Sequence, residues 1–438
     1  MRRIYLSFLG LGQYDKESAT YFYQKTTYEL NGEESKETPF VQAAEIELLG
    51  GDRFDVVLIV ATQKSYDMHF EKLAAQLREL GVSPIHLIID EEMGPADQWR
   101  WFESIMDYIE HGDALTVDLT HGYRSVPIIF SAAINFLQKA RNISLDAVYY
   151  GAFDKNRKLA PIIDMKDFYL INEWADAVGR LVDDADARKL ADVADKSPGF
   201  QAGDLNDKTV IRSFDELTDT IRNVDINNVA SKANDAIQLI QNKEKNASRT
   251  GKLLLGLVID KFVHLTTREP PTGKYDADYF KVQIEIMRLL MEHKLFMQAY
   301  TVMREFIVSI GMIQVPKAKV SNKKGRNLRY RFGELFLSMV QFERDEWLFD
   351  GKRKEDSAEL LDYYDRLEAH GVMGELKNFA RELVDYRNGF DHCWTLKSGA
   401  FDEIEKKGNM YLGRLEQVVD DLIRHGFLTQ AEQAVSRK

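Results

Sequence analysis

Cysteine is almost absent. The 438 residues contain one, Cys393. A disulfide framework and a cysteine-built zinc site are therefore excluded within one chain, and the composition suits a reducing cytoplasm. No run of roughly 18 apolar residues occurs, so no membrane-spanning helix is expected. The apolar stretch in Met1–Leu11 is too short for a secretory signal, and Gln13, Asp15, Lys16 and Glu17 follow it without a small-residue cleavage site. Positive charge is not in excess: 58 Lys and Arg against 70 Asp and Glu give a net charge of −12. Such a surface does not coat nucleic acid as a whole, although a local basic site is compatible with it. Also lacking are H-E-x-x-H, a cysteine pair, a P-loop, G-x-S-x-G, solenoid repeats and low-complexity tracts. No metal site is expected.

What is present is enough apolar sequence, 45%, to build cores in two or three domains. Residues 1 to about 165 alternate strand and helix. Apolar, β-branched runs at Ile4–Leu9, Asp55–Ala61, Ile85–Asp90, Ala114–Thr120 and Leu145–Gly151 lack polar alternation, as strands buried on both faces do. Helical periodicity separates them at Phe40–Leu49, Tyr66–Leu80, Ala96–Glu110 and Val126–Ala140. This order predicts a Rossmann-like parallel α/β sheet with right-handed crossovers. A turn at residues 154–158 returns Leu159–Ile163 as an antiparallel edge strand. From about Met165 helices take over, so an all-α C-terminal region is expected, with single helices over Phe214–Gln241 and Glu375–Tyr386 among others. The stretch Lys196–Asp207 reads as a connector, and Pro270-Pro271-Thr272-Gly273 as a firm break.

Three stretches carry chemistry. Asp118-Leu119-Thr120-His121-Gly122-Tyr123-Arg124-Ser125-Val126-Pro127 follows the fourth strand and opens a helix. Ligands of open α/β sheets gather at the carboxyl ends of strands, and a helix N-terminus offers free N–H groups to anions. Gly122 permits close backbone approach and Arg124 adds a forked cation. An ordinary strand–helix turn capped by Ser125 fits the same residues. Beside it should lie the ends of strands one and two, with Gly10, Gly12, Gln13, Thr62 and Gln63. Asp15 occupies the position of the third glycine of G-x-G-x-x-G, which weakens a dinucleotide reading.

The second stretch is Tyr386-Arg387-Asn388-Gly389-Phe390-Asp391-His392-Cys393-Trp394, an R-x4-H pattern in which Gly389 is expected to loosen the helix end. Histidine moves protons near neutral pH and arginine stabilises a phosphorane-like transition state. Such a pair suits metal-free RNA cleavage; a helix-terminal pair of cations fits it as well. Arg288 and His293 repeat the spacing inside an apolar helical run. The third stretch is basic: Lys317, Lys319, Lys323, Lys324, Arg326, Arg329 and Arg331 occur with no acid among them. Lys323, Lys324, Arg326 and Arg329 are candidates for RNA contact, and a solvated loop is the alternative.

Thr120-His121-Gly122-Tyr123-Arg124-Ser125-Val126-Pro127 resembles the ligand motif of CRISPR-associated Rossmann-fold (CARF) domains, and Phe8-Leu9-Gly10-Leu11-Gly12-Gln13-Tyr14 is similar to their first loop. The R-x4-H with Asn388 after the arginine resembles the catalytic motif of HEPN ribonucleases. A CARF domain followed by a HEPN domain is the layout of type III CRISPR ancillary ribonucleases. The resemblance implies a ligand-sensing domain over 1–165, a helical connector over 166–270 and a ribonuclease domain over 271–438. It further implies a cytoplasmic homodimer or higher multiple, with no membrane and no cofactor. The activator would be cyclic oligoadenylate, the four-membered ring being favoured, and the substrate single-stranded RNA. Arg387, Asn388 and His392 would be catalytic. Thr120, His121, Gly122, Arg124 and Ser125 would hold the ligand with Gly10, Gly12, Gln13, Thr62 and Gln63. A nucleotide sensor without nuclease activity and a Rossmann-type enzyme on a small nucleotide are the rival readings.

Overall fold

The computed structural model describes residues 1–92, 94–121, 126–154, 156–196, 206–267, 274–315, 323–394 and 401–428. The chain packs as two compact units, Met1–Glu173 and Trp174–Lys438.

The first unit is built on one mixed sheet. Its strands are β1 (Arg3–Leu9), β4 (Thr27–Leu30), β5 (Glu33–Glu34), β6 (Val56–Thr62), β7 (Ile85–Ile89), β8 (Ala114–Asp118), β9 (Ser144–Gly151) and β10 (Leu159–Asp164), in the spatial order β5-β4-β10-β9-β8-β1-β6-β7. A separate hairpin, β2 (Gln13–Asp15) and β3 (Thr20–Phe22), follows β1 directly. The central pairs β9–β8, β8–β1, β1–β6 and β6–β7 are all parallel. Helices α1 (Val41–Leu49), α2 (Gln63–Ser65), α3 (Glu71–Glu79), α4 (Pro95–Met106) and α5 (Val126–Ala140) make the crossovers, with a π turn at Tyr66–Phe70 joining α2 to α3.

Apolar residues on both faces of β1 explain the two-sided cover. Ile4, Leu6 and Phe8 face Trp101, Ile105, Phe130 and Ile134 of α4 and α5. Tyr5 and Leu9 face Ile46, Phe70, Leu73 and Leu77 on the other side. The strand β7 ends the sheet, with Ile85 and Ile88 exposed. From β1 the chain builds outward to β6 and β7, then crosses to β8. The order reverses between β1 and β8, which makes that junction the switch point of the sheet.

Two expectations for this unit need correction. Leu159–Ile163 does run antiparallel to β9, but β4 pairs with its other side in parallel, so it is not the edge. Residues 13–34, unassigned from sequence, supply four short strands. Their pairing comes from tertiary neighbours, with backbone bonds between Thr26 and Thr38 tying the segment down.

The second unit takes up most of α6 (Lys166–Asp184), then α7 (Arg188–Lys196), α8 (Lys208–Arg222), α9 (Ile226–Glu244), α10 (Arg249–Phe262), α11 (Ala277–Glu292), α12 (Phe296–Ile310), α13 (Lys323–Leu328), α14 (Glu334–Gln341), α15 (Gly351–Ala369), α16 (Val372–Asp391) and α17 (Phe401–Arg424). The helix expected over Phe214–Gln241 is two. The chain reverses at Asn223-Val224-Asp225, with Val224 left-handed (φ 57°), so that α8 and α9 pack on each other. In the C-terminal part α11, α12, α16 and α17 pack together around Phe280, Tyr300, Phe306, Phe379, Leu383 and Tyr411, all at most 1% exposed. No helix among the described residues is long and apolar enough to cross a membrane.

Candidate functional site

At the switch point the ends of β1, β6 and β8 enclose a cavity of about 440 Å³. Gly10, Gly12, Gln13, Thr62, Thr120 and His121 line it. The three sequence-identified loops therefore meet in one place. Gln63 stays outside: it opens α2, is exposed, and its amide donates to Asp67 at 2.7 Å. Gly122, Arg124 and Ser125 lie outside the described residues.

Asp118 organises the loops. Its carboxylate is fully buried at the end of β8 and accepts from Ser7 Oγ of β1 at 2.6 Å, from the Thr120 amide at 2.9 Å, and from the Thr120 hydroxyl. Thr120 Oγ1 in turn accepts from the Gly151 amide of β9 at 2.7 Å. Burial raises the Asp118 carboxyl above the ordinary range, against the pull of its Ser7 and Thr120 donors. Thr62 caps α2 through a reciprocal bond with Ser65. Gly10 is held so close to the His121 carbonyl that a Cβ there would lie 2.8 Å from that oxygen. Gly12 is left-handed (φ 79°) against the Phe22 carbonyl. Both glycines are required by close approach, without any dinucleotide turn.

Three pocket features escaped the sequence reading. Tyr23, just after the β2–β3 hairpin, donates to the Gly10 carbonyl at 2.8 Å. Its ring lies between the imidazoles of His69 and His121, at centroid distances of 4.9 and 4.7 Å. His69 Nε2 bonds the Leu11 carbonyl at 3.0 Å. Phe153 and Tyr28 add further aromatic wall. The signals were a Tyr21-Phe22-Tyr23 run in a polar segment and a lone histidine on the helix after β6. All the described lining residues are uncharged. Burial lowers His121 to about 4, with His69 adding to the effect, so its imidazole is neutral at physiological pH. Its Nε2 is buried without a hydrogen-bond partner among the described residues. The cavity thus offers aromatic faces, hydroxyls and amides to a flat heterocycle. No cation lines the cavity among the described residues.

In the second unit, Arg387 is half-buried on the last turns of α16 and pairs through Nη1 with Asp391. Its Nε is buried with no hydrogen-bond partner among the described residues. Asn388 and His392 are exposed, His392 at the C-cap. Gly389 does not loosen the helix, which continues to Asp391. The Arg288/His293 repeat is differently occupied. Arg288 on α11 binds Glu285 at 2.7 Å and also Glu416 on α17, a tie between helices.

The basic run is also corrected. Arg329 turns inward, donating to Glu305 at 2.7 Å and to Ser309 Oγ at 3.0 Å, and is withdrawn from the RNA-contact set. Arg331 is engaged with Asp356. Arg326 is exposed on α13. The side chains of Lys323 and Lys324, and all of Lys317 and Lys319, lie outside the described residues. Among the described residues no group of His, Cys, Asp and Glu is placed to hold a metal ion.

A mostly parallel α/β unit followed by a helical unit is the fold class expected from the sequence. No family model matches the chain. By sequence it is similar to the CRISPR-associated protein MJ1674 of Methanocaldococcus jannaschii, 24% identical in a 226-residue alignment that covers 40% of this chain and 35% of that protein. The chain thus spans about a third of the length of the curated relative it matches. Among solved structures, Enterococcus italicus Csm6 bound to cyclic hexa-2′-fluoro-hexa-dAMP aligns over 98% of this chain and 96% of its own, with 11% identity and a TM-score of 0.48.

The titration of His121 follows from its surroundings. Its lowered value means the unfolded chain takes up a proton near 6.5 while the folded one waits until about 4. Between those values the unfolded state binds more protons, so stability falls as pH drops through that window. Imidazole NMR resonances, with that of His121 identified by its loss in His121→Gln, should show it still neutral at pH 5. A midpoint near 6.5 would contradict this.

Proposed function

We propose that this chain is a cyclic-oligoadenylate-activated, metal-independent endoribonuclease acting on single-stranded RNA in type III CRISPR antiviral defence. Residues 1–165 sense the ligand, 166–270 connect, and 271–438 cleave. The observation that carries the reading is the meeting of all three sequence-identified loops in one aromatic, uncharged pocket at the switch point. The similarity to a protein named as CRISPR-associated supports it.

The ligand follows from the pocket's chemistry. Purine faces stack on rings such as those of Tyr23 and His121, and hydroxyl and amide groups recognise base edges and sugars. One cavity of about 440 Å³ lies toward the small end of ligand sites. It takes part of a cyclic tetra-adenylate, so a second copy related by a two-fold axis would complete the site. The protein is therefore a homodimer or a higher multiple, cytoplasmic, and needs no cofactor.

Cleavage proceeds by attack of a ribose 2′-oxygen on the adjacent phosphorus. The 5′-oxygen leaves, giving a 2′,3′-cyclic phosphate and a 5′-hydroxyl. Charge builds on the non-bridging oxygens, where Arg387 donates hydrogen bonds as a phosphate replaces Asp391. His392 moves a proton, to the leaving oxygen or from the attacking one, and Asn388 orients the phosphate.

Three measurements test the proposal. Light scattering should give a mass at least twice that of the 50.5 kDa chain at micromolar concentration; a monomer with and without ligand would count against it. Calorimetry with cyclic tetra-adenylate should show Arg124→Glu binding about tenfold or more weaker, a loss of roughly 1.4 kcal/mol. Unchanged affinity would remove Arg124 from the site. In EDTA, ligand should switch on RNA cleavage, and His392→Ala should slow it by about 10²–10⁴, whereas Arg288→Ala and His293→Ala leave the chemistry in place. Undiminished cleavage by His392→Ala would mean the wrong motif; loss of wild-type cleavage in EDTA would mean a metal is needed.

A further inference from the structure

Immediately after His392 the backbone does something unusual. Cys393 and Trp394 are both left-handed, with φ of 50° and 55°. Neither is glycine, and two such residues in succession are strained. The strain is held by a closed turn. The Trp394 amide donates back to the Gly389 carbonyl at 2.8 Å, the Cys393 amide to Phe390 at 3.2 Å, and the His392 amide to Asn388 at 3.0 Å. The indole then lies flat on the helix at Gly389. A Cβ there would sit 2.6, 2.8 and 2.9 Å from three carbons of the ring. The same indole meets the ring edges of Phe390 and Tyr386, at centroid distances of 5.1 and 6.0 Å, and both of those rings pack on the buried Tyr300.

Gly389 lies inside α16 and has no positive φ, so its backbone does not require glycine. What excludes a side chain is the indole. His392 sits at the apex of the turn, anchored through Asn388 on one side and through Trp394 on the other.

We infer that Gly389 and Trp394 are positioning residues: the indole, seated on the bare glycine backbone, fixes the His392 imidazole relative to Arg387. The inference rests on the R-x4-H reading above. Proton transfer is steep in geometry, and a displacement near 1 Å costs about 10²-fold, so freeing the turn lowers turnover more than it lowers RNA affinity.

A merely structural glycine predicts the reverse for Gly389→Ala, because alanine in a helix interior is the better helix former. The experiment compares full-length wild type, Gly389→Ala, Trp394→Ala, Trp394→Phe and the Gly389→Ala/Trp394→Ala double variant. Each is assayed for single-stranded RNA cleavage with cyclic tetra-adenylate, and for hydrogen exchange over residues 386–394. Gly389→Ala and Trp394→Ala should each lower kcat about tenfold or more, with KM within about twofold. Trp394→Phe, which keeps a ring on the glycine, should recover most of the rate. With the indole gone, adding Gly389→Ala should cost little further, since both changes act through one contact. The amides of Cys393 and Trp394 should exchange faster in both single alanine variants. Wild-type kcat and wild-type protection in Gly389→Ala would overturn the inference, as would losses that simply multiply in the double variant. If the wild type does not cleave RNA, the nuclease reading fails, and the exchange data alone still decide whether the indole holds the turn.

Discussion

A single buried carboxylate holds the switch-point pocket together. Asp118 ends β8 at the switch point and is reached by Ser7 from β1 and Thr120 from its own loop, while Thr120 passes the connection on to β9 through Gly151. A carboxylate this deep is costly unless its oxygens are saturated by donors. Those donors are supplied only when the three strand ends are in register. The correct fold of the sheet and the correct shape of the Thr120–His121 loop are thus one event. Gly10, pressed against the His121 carbonyl, shows how little slack remains.

With the loops fixed, the described walls of the pocket share one chemical character. The described walls are aromatic and amide-bearing and carry no charge. A neutral His121 belongs to that wall, not to a cationic one.

The parallel core was legible because burial on both faces leaves unbroken apolar runs, as in β1, β6 and β8. Helix α5 carries 3.6-residue periodicity and adopts the bounds Val126–Ala140 expected for it. The region 13–34 was not legible. Its strands are two to four residues long and polar, and partners remote in sequence decide their pairing. The α8–α9 break carries neither Gly nor Pro, so local chemistry gave no sign of it. The cavity-lining residues at strand ends, Gly10, Gly12, Gln13, Thr62, Thr120 and His121, could be read from residue type and position. Tyr23 and His69 could not, since their role comes from contacts with Gly10 and Leu11 that only the folded chain creates. The basic run misled for a similar reason: the acids that neutralise Arg329 and Arg331 lie 24 and 25 residues away.

The one thiol of the chain lies in the strained turn beside His392, and it is exposed. A maleimide, an iodoacetamide or a nitroxide carried on a thiosulfonate therefore has a single address, the residue between His392 and Trp394 in the chain. Labelling needs no engineered cysteine and no background removal. The same fact makes storage conditions part of the chemistry, because oxidation or alkylation of Cys393 adds bulk where the turn is tightest.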